Sequence, residues 1–119
     1  AGAPCDFKPK TKISGKIKKR KDLTLKLELT PDIAKSLSKI KKHQITIGFA
    51  LEERAKLIDY AQIKKVEKNF DLIVANPLGT AGREISDYLI IGPNLVEECK
   101  ERSKEELSKR IFDLILTLF

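Results

Sequence analysis

The chain has no methionine, no tryptophan, one histidine and two cysteines among its 119 residues. A lone His43 excludes a histidine-rich metal cluster and leaves little room for serine–histidine chemistry. Cys5 and Cys99 stand far apart, outside any CxxC or Cys/His spacing. Reduced thiols in a cytoplasmic protein are therefore expected, with no disulfide framework and no metal site. No apolar run approaches the ~20 residues that span a bilayer, and no signal-peptide pattern opens the chain. A P-loop, a dinucleotide-binding GxGxxG and a catalytic-triad signature are all missing. The opening Ala-Gly-Ala-Pro-Cys-Asp has no initiator methionine, which reads as a cut through a longer polypeptide.

What is present suits one soluble globular domain: 41% hydrophobic and 34% charged residues, enough for a single core. The net charge of +7 is unevenly placed. Residues 1–21 carry eight basic side chains (Lys8, Lys10, Lys12, Lys16, Lys18, Lys19, Arg20, Lys21) against Asp6, and the remainder is neutral with 16 of each sign. Anions are expected to meet one short segment.

Residues 9–21 mix lysine with Pro9, Ser14 and Gly15 around only Ile13 and Ile17, so they predict a mobile surface loop. Leu23, Leu25, Leu27 and Leu29 alternate with polar residues, the pattern of a half-buried strand in an antiparallel ladder. Thr30-Pro31-Asp32 reads as a helix start with Thr30 as N-cap and Pro31 at the first position. That helix is expected to run to about Lys42, with Ile33, Leu37 and Ile40 on one stripe. A short apolar run from Ile45 to Ala50 follows. A charged helix from about Glu52 to Glu67 should bury Ala55, Ile58 and Ala61, and a buried strand covers Phe70 to Ala75. Strand, helix and strand of these lengths predict a βαβ unit in a parallel sheet. Ile85–Ile91 reads as a strand, 92–94 as a turn, and Leu95–Cys99 as a return strand. Ser103 with Glu106 forms a capping box ahead of a last helix burying Leu107, Ile111, Leu114, Ile115 and Leu118.

Three features could carry chemistry. Asp6-Phe7-x-Pro9 followed by Lys16-Ile17-Lys18-Lys19 could be a lysine arm that folds over a triphosphate; composition alone favours a solvated basic loop or a nonspecific nucleic-acid patch. Gly48-Phe49-Ala50 at the carboxyl end of a parallel strand could lay an aromatic ring against a base, although a plain core Phe has the same spacing. Lys64 and Lys68 share a helix face and could clamp phosphate oxygens, but lysines near a helix C-terminus also complement its dipole.

Taken in order, these features resemble the phosphopantothenoylcysteine synthetase family. There a segment like A-A-V-A-D-[FY]-x-P precedes a K-[IL]-K-K arm, an alternating strand, a Pro-Asp-Ile helix start, a G-F-A strand and a K-x-x-x-K helix. An N-x-D-L-I-V-A-N strand and an S-K-E-E helix complete the series. This chain has Ala3-Pro4-Cys5-Asp6-Phe7-Lys8-Pro9, Lys16-Ile17-Lys18-Lys19, Thr30-Pro31-Asp32-Ile33 and Gly48-Phe49-Ala50. It continues with Lys64-x-x-x-Lys68, Asn69 to Asn76 and Ser103-Lys104-Glu105-Glu106.

The resemblance implies an α/β, Rossmann-like three-layer sheet. Residues 1–119 would be the C-terminal part of a single synthetase domain, with 9–21 as a flexible basic flap and an antiparallel dimerisation strand at Leu23–Leu29. It implies a ligase of coenzyme A biosynthesis that joins 4'-phosphopantothenate to L-cysteine through an acyl-nucleotidylate, using CTP or ATP with Mg²⁺, as a homodimer. By carry-over, Lys16 closes over the reacting phosphates and Asp6 holds base or ribose. Thr30, Pro31, Asp32, Ile33 and Phe49 line the nucleotide pocket, and Lys64 with Lys68 grip the phosphates. The family's upstream S-x-G-x-x-G turn has no match here, Asn76 is followed by Pro77 rather than Asp, and Pro4-Cys5 replaces small aliphatics. The isolated chain is accordingly expected to be inactive. A basic nucleic-acid module is the alternative, but it predicts aromatics among the lysines, and residues 1–21 offer only Phe7; neither nucleic acid nor membrane is expected as a partner. A third reading is a catalytically silent dimerisation domain.

Overall fold

The computed structural model describes residues 5–19, 21–80 and 82–119. The motif residues Ala3 and Pro4, and Arg20 of the basic arm, lie outside them.

The N-terminal third is a two-stranded ribbon and a short helix. Strand β1 (Phe7–Pro9) pairs antiparallel with β2 (Leu27–Leu29), Phe7 opposite Leu29 and Pro9 opposite Leu27. The alternating stretch from 22 therefore yields only three strand residues, because β1 is just three long. Leu23, Leu25, Leu27 and Leu29 are all exposed rather than half-buried. Between the strands, 10–26 has no regular secondary structure among its described residues. Helix α1 (Ile33–Ser38) is shorter than the periodicity predicts, and Ile33, Leu37 and Ile40 are exposed. Its N-cap is Asp32, whose carboxylate accepts from Lys35 N at 2.9 Å. Thr30 instead donates its hydroxyl to the Cys5 carbonyl at 2.6 Å, which fastens the chain on either side of the ribbon.

The body starts with β3 (Ile47–Glu52). A 3₁₀ turn at Arg54–Lys56 leads into α2 (Leu57–Glu67), and β4 (Leu72–Pro77) returns parallel to β3 with Ile47 opposite Leu72. Because α2 starts five residues later than expected, its inward face changes: Ala61 is buried and Leu57 packs beside it, while Ala55 and Ile58 stay exposed. Next, β5 (Ile85–Gly92) runs antiparallel to β4, and β6 (Leu95–Ser103) antiparallel to β5. The sheet is mixed, in the order β3-β4-β5-β6 with one parallel pair, because connections this short cannot make crossovers. A two-residue turn joins β5 to β6, with Asn94 at φ 53°, a left-handed value asparagine tolerates. The return strand runs on to Ser103 through a bulge at Lys100–Glu101 opposite Asp87, whose carboxylate accepts from Glu101 N at 3.1 Å.

Helix α3 (Lys104–Leu118) opens with the expected capping box: Ser103 Oγ accepts from Glu106 N at 3.1 Å, and the Glu106 carboxylate accepts from Ser103 N at 2.9 Å. It lays Leu107, Ile111 and Leu114 on Leu72, Val74, Tyr88 and Ile90. Leu118 stays exposed at the helix end. On the other sheet face Ala61 meets Ala50, Ile73, Ala75, Leu89 and Ile91. Both faces are covered, so Leu72 to Ala75 are fully buried, which explains a continuous apolar strand rather than an alternating one. Leu72, Ile73 and Val74 each contribute about 1.5–3 kcal/mol of burial.

A polar knot ties the two parts together. The Asp71 carboxylate accepts from Lys41 Nζ, from Thr46 N at 2.6 Å and from Thr46 Oγ1 at 3.0 Å. Burial pushes this carboxyl up, but those donors outweigh it and hold its pKa below the ordinary aspartate value.

Candidate functional site

The ribbon, α1 and the β3 edge of the body enclose a cleft of about 710 Å³. Its walls come from four separate stretches of chain, each held by identifiable contacts.

The first wall is Asp6, just ahead of β1. Its carbonyl accepts from Thr30 N at 2.9 Å, so the ribbon's own ladder sets Asp6 beside the approach to α1. Thr30, Pro31, Asp32 and Ile33 form the second wall. Asp32 organises it: one carboxylate oxygen caps Lys35 N, its carbonyl accepts from Ser36 N at 2.9 Å, and the other carboxylate oxygen lies 3.1 Å from Lys68 Nζ. The Lys35 backbone N–H, followed by Lys68, holds the Asp32 carboxyl below its usual range.

Phe49 is the third wall. It sits within β3 rather than at its carboxyl end, which is reached at Leu51 and Glu52. Strand alternation buries its neighbours Gly48 and Ala50 and leaves Phe49 68% exposed, so it is not a core phenylalanine. Gly48 is required here because a Cβ would lie 2.4 Å from the Phe70 ring. The fourth wall is the end of α2 with Lys64 and Lys68, where Lys68 N donates to the Lys64 carbonyl at 3.1 Å. Both ammonium groups have counterions: Lys64 pairs with Glu52, and Lys68 with Asp32.

The cleft thus carries two carboxylates, two lysines, an exposed aromatic ring and a buried apolar floor at Ile73, with Phe70 beside it. Asp6, Thr30, Pro31, Asp32, Ile33, Phe49, Lys64 and Lys68 all line it. Lys16 does not: it is exposed in the irregular segment between the ribbon strands. Sequence reasoning missed Phe70 and Ile73, whose spacing reads simply as buried strand. It also missed Glu52, which lies 12 residues before Lys64 and meets it only because α2 folds back over β3. An ammonium pair, an exposed ring and a nearby carboxylate can together hold a phosphorylated, ring-bearing anion. Among the described residues, no group of three or more His, Cys, Asp or Glu is placed to hold a metal ion. No helix among them is long and apolar enough to cross a membrane.

The profile of the DNA/pantothenate metabolism flavoprotein C-terminal domain matches residues 1–118. The chain is 39% identical over 118 residues to the coenzyme A biosynthesis bifunctional protein CoaBC of Borreliella burgdorferi, an alignment taking in 97% of this chain and 30% of that protein. The protein of the same name from Thermococcus kodakarensis is 33% identical over 119 residues, covering 97% of this chain and 29% of its own length. Among solved structures, the C-terminal domain of coenzyme A biosynthesis bifunctional protein CoaBC superposes with a TM-score of 0.65 at 34% identity, over 76% of this chain and 43% of that one. The chain spans about 30% of the length of these curated relatives.

Proposed function

Because this chain belongs to the DNA/pantothenate metabolism flavoprotein C-terminal domain family, we propose that it supplies the nucleotide-holding part of a phosphopantothenate–cysteine ligase of coenzyme A synthesis. One observation carries the reading: residues from four separate stretches converge on a single cleft with the donors a nucleotide needs.

In this reading Phe49 lies flat against the base, and Asp6 accepts from the base or the ribose hydroxyls. Lys64 and Lys68 donate to phosphate oxygens, since charge-assisted bonds are the strong ones for a polyanion. Lys16 reaches the cleft by closure of the basic arm, after the substrates have entered, and offsets negative charge developing at the α-phosphate. The 4'-phosphopantothenate carboxylate then displaces pyrophosphate from CTP or ATP, giving an acyl-nucleotidylate. The L-cysteine amine attacks that acyl carbon, the nucleoside monophosphate leaves, and the amine proton is released. Positioning and electrostatics suffice for both steps, so no protein nucleophile is required. Mg²⁺ fits as an ion carried on the triphosphate rather than in a protein cage, where it would neutralise phosphate charge; Asp6 is the cleft carboxylate without an ion pair among the described residues.

The proposed homodimer uses the exposed Leu23–Leu29 stripe, which lacks cover among the described residues. The chain spans about 30% of the length of its curated relatives, so the 119 residues alone are expected to be inactive.

The test joins this chain to the upstream portion its curated relatives carry and measures pyrophosphate release. Release should need phosphopantothenate together with CTP or ATP, and Lys16→Gln should lower kcat by about 10²-fold or more. Full activity of Lys16→Gln would remove that residue from the mechanism. Nucleotide turnover without phosphopantothenate would remove the ligase assignment.

A further inference from the structure

Glu52 lies outside the cleft lining but pairs with one of its two lysines. It ends β3, and its carboxylate is bonded to Lys64 Nζ. The Glu52 side chain is only 14% exposed against 42% for Lys64, so the lysine reaches in to the acid. Its backbone is fixed as well, because Leu78 N donates to the Glu52 carbonyl at 2.8 Å. The acid is therefore anchored and the lysine is the movable partner.

We infer that Glu52 is a positioning and specificity residue for anion capture in the cleft, acting through Lys64; this rests on the nucleotide reading given above. A free ammonium on a four-carbon stem is a mobile point charge that attracts any anion. Bonding to Glu52 uses one of its three donors and cancels its net charge, leaving two donors at a fixed place. Long-range attraction is lost while short-range, directional bonding remains. A bare polyphosphate gains little from such a site. A nucleotide, whose base and ribose already fill the space between Phe49 and the α1 approach, brings its phosphates within bonding distance and gains more. Lys68 repeats the arrangement with Asp32, so both cations of the cleft carry their own counterions. Discrimination here comes from withholding general anion affinity, a penalty on the wrong ligand as much as a reward for the right one.

The experiment is a calorimetric titration of the full chain with CTP, ATP and inorganic tripolyphosphate at two salt concentrations. The wild type should prefer a nucleotide to tripolyphosphate. Glu52→Gln frees the Lys64 charge, so tripolyphosphate should bind about fivefold tighter with a steeper salt dependence, and the nucleotide preference should fall about tenfold. Lys64→Gln should weaken both ligands, by losing its donors and by leaving Glu52 unpaired beside them, and the Glu52→Gln/Lys64→Gln double variant should recover only the second part of that loss. The recovery also tests the inference should Glu52→Gln alone unfold. A merely structural Glu52 would lower thermal stability but leave the preference and the salt slope unchanged, and that result overturns the inference alone. A wild type that binds neither nucleotide overturns the nucleotide reading and this inference together.

Discussion

The two parts of this molecule carry the same kinds of apolar pattern with opposite outcomes. From Gly48 onward, part of each predicted stripe finds partners: Leu107, Ile111 and Leu114 of α3 are buried on one sheet face, and Ala61, alone of the stripe expected on α2, on the other. Before Gly48, no described residue is buried, although Leu23–Leu29 alternate as cleanly as any strand and Ile33, Leu37 and Ile40 form a proper helical stripe. The chain's radius of gyration, 18.2 Å, records the same split, since a compact chain of this length would be near 13.5 Å by the usual scaling, about a quarter smaller. A periodic pattern states which face wants cover. It does not state whether the cover lies in the same chain.

Four substitutions press on this contrast. The largest expected effect is in the body: Leu72→Ala should cost about 2–5 kcal/mol in urea unfolding, because the fully buried site is enclosed by sheet and α3. The knot between the two parts comes next. Asp71→Asn should cost about 1–3 kcal/mol, as Lys41 Nζ loses its charged acceptor in a half-buried place. The pH dependence follows from the same group. Its folded pKa is depressed, so its contribution is present above the unfolded value and is lost as pH falls through the lower folded value. Acid unfolding of the wild type should therefore show a component below about pH 4 that Asp71→Asn lacks. Removing the cap of α3 with Ser103→Ala should cost about 1 kcal/mol, read from the thermal midpoint. The smallest effect on folding should come from Leu25→Asp in the exposed stripe, under about 0.5 kcal/mol. That same change should abolish any dimer seen by sedimentation, and a strong loss of monomer stability would instead mean that the ribbon has cover within the chain.

How far the fold could be read from sequence depended on the range of the interactions. The β5–β6 turn at 93–94 and the capping box at Ser103 rest on contacts a few residues apart, and both were legible; the βαβ start, whose strands pair 25 residues apart, was legible from the lengths and order of its elements. Element ends were less so. Thr30 and Asp32 are both good caps, and the choice of Asp32 turned on Thr30 being drawn to the Cys5 carbonyl 25 residues away. The start of α2 slipped to Leu57 because a 3₁₀ turn takes up Arg54–Lys56, which moved Ala55 and Ile58 outward. The mixed sheet was hidden because β4 is covered on both faces, so its apolar run does not reveal its neighbours' directions. At the candidate site, motif order identified eight residues that line one cleft, from Asp6 to Lys68. It could not reveal the carboxylate partners of Lys64 and Lys68, because ion pairs between distant segments leave no spacing in the sequence.

The cleft between the ribbon and the β3 edge is proposed as a nucleotide site. Its most direct test is an NMR titration of the isotopically labelled chain with CTP and ATP. Signals of Asp6, Asp32, Phe49, Lys64 and Lys68 should shift together and saturate with one dissociation constant, while those of Leu107 and Ile111 on the far face stay put. Saturable shifts confined to the basic segment 9–21, or no shift at the cleft with either nucleotide, would contradict it.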